Sequence, residues 1–384
     1  MRFLFTFVGG RGHFDPMAPV ARAAAARGHT VAVAGAGSHV PPIERAGFTA
    51  LATSAPRAQT ASTREPLPPV DPARDDWEIQ ELFARRAGRE RAGKLLEIIR
   101  DWRPDVVIRD EVDFGAAIAA EQLGVPCVNA LVLAAGTLLR KELVAEPLHE
   151  LRAEHGLPTD PQLTMLEGQL VLSPFPPSVR DPASPLPPGA FSFRQGDPIP
   201  PQPPHEPPGV YFTLGTDFNT ASGDLFERTL AGLARLTADV TTTVGTQLDP
   251  AVFEPQPAHV RVERFVPQAE LLPSIDLVVS HGGSGSLLGA LAHGLPSLVF
   301  AMGADQPGNA RQTTRLGTGI ALDPETATPD EIHDAAARLL TEPRWREAAQ
   351  RVQEEINGQP GAEETVPLLE ITATSAPGSP RRAP

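Results

Sequence analysis

Apolar residues along this chain fall into short runs that alternate with helical stretches. Residues 3–8, FLFTFV, form an almost unbroken apolar run, as expected of a parallel strand covered on both faces. The glycine-rich turn GGRGHFD follows. Asp15, with Pro16 after it, predicts a helix start, a carboxylate cap ahead of a proline at the first helical position. That helix should run through the alanines to Arg27 and stop at Gly28. HTVAVAG reads as the next strand, and GFTAL as another after a short helix. Residues 78–101 predict a long helix, RPDVVIRD a strand, FGAAIAAEQLG a helix and PCVNAL a strand. Such alternation specifies an α/β fold with a doubly wound parallel sheet.

The pattern breaks between Pro174 and Pro208, where 14 of 35 residues are proline. Proline fixes φ and lacks an N–H, so this stretch predicts a semi-rigid extended connector rather than helix or interior strand. Strand–helix alternation resumes at GVYFTLGT (209–216) and continues to about Arg351. The expected organisation is a first domain at 1–173, a linker at 174–208, a second domain at 209–362 and a disordered tail at 374–384. A chain of 384 residues is too long for one core and fits two.

The densest chemistry lies at 281–309, HGGSGSLLGALAHGLPSLVFAMGADQPGN. An apolar strand at 277–279 leads into Gly282, Gly283 and Gly285, and an amphipathic helix is expected to follow over 287–292. A strand, a glycine turn and a helix N-terminus make an anion site, because open N–H groups and the positive end of the dipole converge there. Ser284 and Ser286 offer hydroxyl donors and His281 a further one. The strand at 297–300 then leads to Asp305 and Gln306 at the same end of the sheet. A diphosphate carrying a polyhydroxylated group fits this set.

These residues resemble the donor signature of GT-B glycosyltransferases of the bacterial antibiotic and macrolide type: His281, Gly282, Gly283, Gly285 and Ser286, then Gly294 and Pro296, then Asp305, Gln306 and Asn309. RFVPQAELL (264–272) stands where that family carries its base-recognition loop, with Val266, Pro267 and Gln268 matching. The resemblance implies two Rossmann-like domains facing a cleft, the second holding a TDP- or UDP-sugar. The first would hold a small apolar acceptor such as a polyketide or macrolide aglycone. It implies that His281 and Thr216 touch the diphosphate, that Asp305 and Gln306 read the sugar, that the loop with Gly12 makes room for the acceptor, and that residues 363–373 cross back to the first domain. It further implies an inverting transfer to a hydroxyl. One departure matters: some relatives carry a ribose-binding glutamate where this chain has Gly289, which suits a deoxyribose nucleotide such as TDP.

Sugar transfer to a hydroxyl needs a base. His13 lies between the first strand and its helix, titrates near neutrality and matches the family's Gly-His-x-x-Pro element. Its orienting carboxylate is expected to be Asp110, at the end of DVVIRD, with Glu111 and Asp113 as competitors. Asp113 could instead cap the helix near Phe114. Gly9, Gly10 and Gly12 lack the spacing of a dinucleotide fingerprint, and no acidic residue closes the second strand.

Charge and composition remove other classes. A formal net charge of -14 disfavours nucleic-acid and anionic-membrane partners. No apolar run reaches the length of a membrane span, and the N-terminal run is too soon interrupted for a signal peptide, so a cytoplasmic monomer or homodimer is expected. The single cysteine, Cys127, reads as a buried strand residue. Ligand spacings for a metal are absent, so no metal or other cofactor is expected beyond the nucleotide-sugar substrate. Two further readings share the architecture: a sugar-nucleotide epimerase and a non-catalytic auxiliary subunit.

Overall fold

The computed structural model describes residues 1–56, 64–216 and 218–375, and residues 376–384 of the expected tail lie outside them. Two all-parallel sheets form the frame. The first contains β1 (Arg2–Thr6), β2 (Thr30–Gly35), β3 (Thr49–Ala52), β4 (Val106–Asp110), β5 (Cys127–Ala130), β6 (Leu170–Ser173) and β7 (Phe191–Ser192). Their order across the sheet is β3-β2-β1-β4-β5-β6-β7. The second contains β8 (Gly209–Thr213), β9 (Asp239–Thr243), β10 (Val260–Glu263), β11 (Leu277–Ser280), β12 (Ser297–Val299) and β13 (Gly319–Ala321), ordered β10-β9-β8-β11-β12-β13. β1 and β4 are buried at almost every position because helices cover both faces of the sheet, which explains their continuous apolar sequence.

Three local readings need correction. The helix after β1 begins at Ala18, with Met17 at its cap, and a separate turn at Arg11–Phe14 carries His13, so Asp15 closes that turn instead of starting the helix. The long helix starts at Pro72 instead of residue 78, capped by Asp71, whose side chain accepts from the Ala73 amide at 3.0 Å. It widens to π-type turns over Glu78–Ala87 before continuing as Gly88–Trp102. Within the proline-rich stretch, Phe191–Ser192 pairs with β6 as an edge strand, the one sheet position such a sequence tolerates.

After the second domain the chain returns. The helix Thr365–Thr374 packs on the first domain, with Val366 and Leu369 buried among Phe3, Ala21 and Val106. Glu370 fixes it there by accepting from Arg27 at 2.9 Å and meeting His29 Nε2 at 2.9 Å. The domains also share a core. Leu287, Leu288 and Leu291 of the helix Ser284–Ala292 are buried with Leu131, Ala134, Val171 and Phe175 of the first domain. That helix is therefore apolar on more than one face rather than amphipathic, and each leucine so buried contributes roughly 1.5–3 kcal/mol. Among the described residues no helix is long and apolar enough to cross a membrane.

Candidate active site

Each sheet reverses its winding direction between two central strands, β1 and β4 in the first and β8 and β11 in the second. Ligands of open α/β sheets bind in the crevice at the carboxyl ends of such strands. His13 follows β1 and Asp110 ends β4; Thr216 follows β8 and His281 follows β11. The two crevices open onto one cavity of about 690 Å³ lined by both domains.

His13 Nδ1 stands 3.2 Å from Asp110 Oδ2. Asp110 is fully buried and cannot turn away, since its carboxylate also accepts from the amides of Val8 at 2.8 Å and Val112 at 2.7 Å. An N–H at Nδ1 donating to Asp110 leaves Nε2 as the nitrogen able to take a proton. Burial pushes the His13 pKa down, but the charge and hydrogen bond of Asp110 push it up, helped by Asp305 and Glu111, and the net result lies above 6.5.

The competing carboxylates are occupied elsewhere. Asp113 holds the buried Arg91 guanidinium, Thr6 Oγ1 at 2.6 Å and the Ala116 amide at 3.3 Å, capping Phe114–Gln122. Glu111 accepts from the amides of Val132 and Leu133, each at 2.6 Å, and burial pushes its carboxyl up. Gly12 lines the cavity, where a Cβ would meet nothing within 4 Å. Cys127 is buried in β5, and burial pushes its thiol up to about 11.

On the facing wall, the helix Ser284–Ala292 begins at Gly283, which has no side chain to cap it, so its first-turn amides remain open to the cavity. Gly282 adopts φ 80°, and the Cβ of any other residue there would lie 2.5 Å from Val299 Cγ1. The His281 ring fits between two more glycines: a Cβ at Gly215 would lie 2.6 Å from Cε1, and one at Gly283 2.5 Å from Nε2. Burial holds the His281 pKa down to about 4, so the ring is neutral at pH 7 and can offer one N–H. Thr216, exposed at the cavity edge, and Gly285 lie on the same wall, as does Val266. Gln268 Nε2 reaches Ser286 Oγ at 3.5 Å, joining the 264–268 loop to the anion site.

Asp305 and Gln306 reach the cavity together. Gln306 Oε1 accepts from the Met302 amide at 2.8 Å. Asp305 Oδ2 accepts from Ser284 Oγ at 2.5 Å and Asn309 Nδ2 at 2.8 Å, and burial pushes its carboxyl up. Ser284 is thus not a free hydroxyl for a phosphate. Its Oγ also accepts from the Ala134 amide of the first domain at 2.6 Å, while Asn309 Oδ1 accepts from the Ala135 amide at 3.0 Å. These two bonds clasp the domains beside the cavity.

Sequence reasoning missed the apolar wall, because residues 72–87 and 131–139 carry no motif. Ile79, Phe83, Val132, Leu133 and Leu138 line the first-domain side. Phe83 lies 6.4 Å from the His13 ring, nearly parallel to it. The spacing of Ile79 and Phe83 on one helix was the available signal. Among the described residues no three His, Cys, Asp or Glu side chains gather as metal ligands would.

Residues 227–371 match the family model described as the erythromycin biosynthesis protein CIII-like C-terminal domain. TDP-daunosamine transferase of Streptomyces peucetius is 30% identical, with 96% of each chain covered. The chain is a GT-B glycosyltransferase of the bacterial natural-product type. Aclacinomycin-T 2-deoxy-L-fucose transferase of Streptomyces galilaeus is 29% identical to this glycosyltransferase, again over 96% of both chains. The crystal structure of the glycosyltransferase VinC in complex with dTDP superposes with a TM-score of 0.75 at 27% identity, over 97% of this chain and 99% of that one.

Proposed function

We propose that this glycosyltransferase moves a deoxysugar from a TDP-sugar to a hydroxyl of an apolar aglycone of the polyketide or macrolide kind, with inversion at the anomeric carbon. The observation that carries this reading is the single cavity with a histidine–carboxylate pair on one wall and an uncapped glycine-turn helix on the other. His13, oriented by Asp110, takes the acceptor proton at Nε2 as the oxygen attacks. The diphosphate leaves toward the amides of Gly285 and Ser286, the Thr216 hydroxyl and the neutral His281, without a metal ion. Asp305 and Gln306 bind the sugar hydroxyls, and Val266 and Gln268 flank the base.

Three observations support the finer assignments. One relative above is named for transfer of 2-deoxy-L-fucose, another for TDP-daunosamine, and VinC was crystallised with dTDP. Gly289 presents no carboxylate to a ribose 2′-hydroxyl, and a side chain there would press on Leu272 and Gln268. The apolar wall of Ile79, Phe83 and Leu138 exceeds what a nucleotide sugar needs, which favours a transferase over an epimerase acting on the nucleotide alone. Incubation with a panel of TDP- and UDP-sugars and macrolide or polyketide aglycones tests the proposal. A glycosylated product with inverted anomeric configuration by NMR is expected; retained configuration, or turnover only of the sugar nucleotide, would overturn it.

A further inference from the structure

The loop that presents Asp305 is held from across the cleft. Ala304 has φ 56°, a left-handed conformation disfavoured for any residue with a Cβ, and Gly303 before it has φ 152°. Inside the second domain the Gln306 amide donates to Gly303 O at 3.2 Å, the Met302 amide donates to Gln306 Oε1, and Ser284 and Asn309 hold the Asp305 carboxylate. The bond to the left-handed residue itself comes from the first domain, where Asp75 Oδ1 accepts from the Ala304 amide at 3.0 Å. Asp75 and Ala304 both line the cavity.

Asp75 lies in the first turn of its own helix, where a carboxylate favours the helix dipole, but it is not the cap. Asp71 caps that helix, Asp76 pairs with Arg140 at 2.6 Å and Glu78 with Arg74 at 3.1 Å. The Asp75 carboxylate also faces Gly303, where an added Cβ would be in ordinary van der Waals contact with it, 3.4 Å from Oδ1.

We propose that Asp75 is a positioning residue for donor-sugar recognition: from the acceptor domain it holds the 302–306 loop in the left-handed turn that aims Asp305 and Gln306 into the cavity. This rests on the reading of Asp305 and Gln306 as sugar-binding groups. Its consequence is that the sugar subsite is complete only when the cleft is closed, whereas the diphosphate subsite belongs wholly to the second domain.

Calorimetric titration of the full-length protein with TDP and with TDP-glucose tests this, in wild type, Asp75→Ala, Asp75→Asn and Asp305→Ala. The informative quantity is the ratio of the two dissociation constants. Asp75→Ala is expected to shift that ratio about tenfold against TDP-glucose while TDP affinity stays within twofold. Asp75→Asn keeps a carbonyl oxygen for the Ala304 amide and should restore the wild-type ratio. An unchanged ratio in Asp75→Ala, equal weakening of both ligands, or Asp75→Asn as poor as Asp75→Ala would overturn the role of Asp75. An unchanged ratio in Asp305→Ala would instead remove the sugar-subsite reading and the proposal with it.

Discussion

His13, in the turn after β1, and Asp110, at the end of β4, flank the point where the first sheet changes winding direction, and they meet across it at 3.2 Å. The aspartate is pinned by two backbone amides, so it fixes the imidazole rather than following it. Removing the base with His13→Ala should lower turnover by about 10²–10⁴-fold, the usual range for general-base catalysis, and leave TDP affinity unchanged. Steady-state kinetics beside a TDP titration checks both.

The same pair sets a pH dependence. Because the His13 pKa is raised above 6.5, the neutral base is lost as pH falls through that raised value, and kcat/KM should show an acid limb there. Asp110→Asn removes the charge that raises it, so the limb should move to lower pH while the plateau drops. The linked stability has the opposite sense: it is fully present below pH 6.5 and lost as pH rises through the folded-state pKa. Urea unfolding of wild type and His13→Ala across pH 6–8.5 should converge at the alkaline end.

His281 behaves in the reverse way. Its pKa is depressed to about 4 by burial, so the stability tied to its neutral form is present above 6.5 and lost as pH falls toward 4. His281→Gln should unfold with a shallower acid dependence between those limits, measured by urea midpoints at pH 7, 6, 5 and 4.5.

Ser284 joins three groups, the Ala134 amide, Asp305 and Asn309. Ser284→Ala leaves a buried amide and a carboxylate oxygen short of a partner, which costs about 1–3 kcal/mol for each group left unsatisfied. Denaturant unfolding should register that loss, and TDP-sugar affinity should fall because Asp305 keeps only one of its two side-chain bonds, that to Asn309.

What the sequence disclosed and what it hid follow from how local each signal is. The apolar runs of β1, β4 and β11, and the glycine turn at 282–285, declare themselves because neighbours in sequence build them. Asp110 was expected ahead of Glu111 and Asp113 from its strand-end place and the family resemblance, but what occupies the two competitors, Arg91 and the amides of Val132 and Leu133, is distant in sequence and was not legible. Ser284 looked like a phosphate donor because the Asp305 carboxylate that takes its hydroxyl proton, and the Ala134 amide that it accepts from, 150 residues away, are not its neighbours in sequence. Asp75 was hidden by a proline-rich approach that obscured its helix, and its target is a single amide in the other domain.

Titration of the purified protein with TDP, without added metal, tests the central claim most directly. The account predicts saturable binding that is weakened at least tenfold by Gly215→Ala, whose Cβ would displace His281, and is unaffected by His13→Ala. No binding of TDP or UDP, with or without magnesium, would contradict the assignment of the 281–309 turn as the donor site.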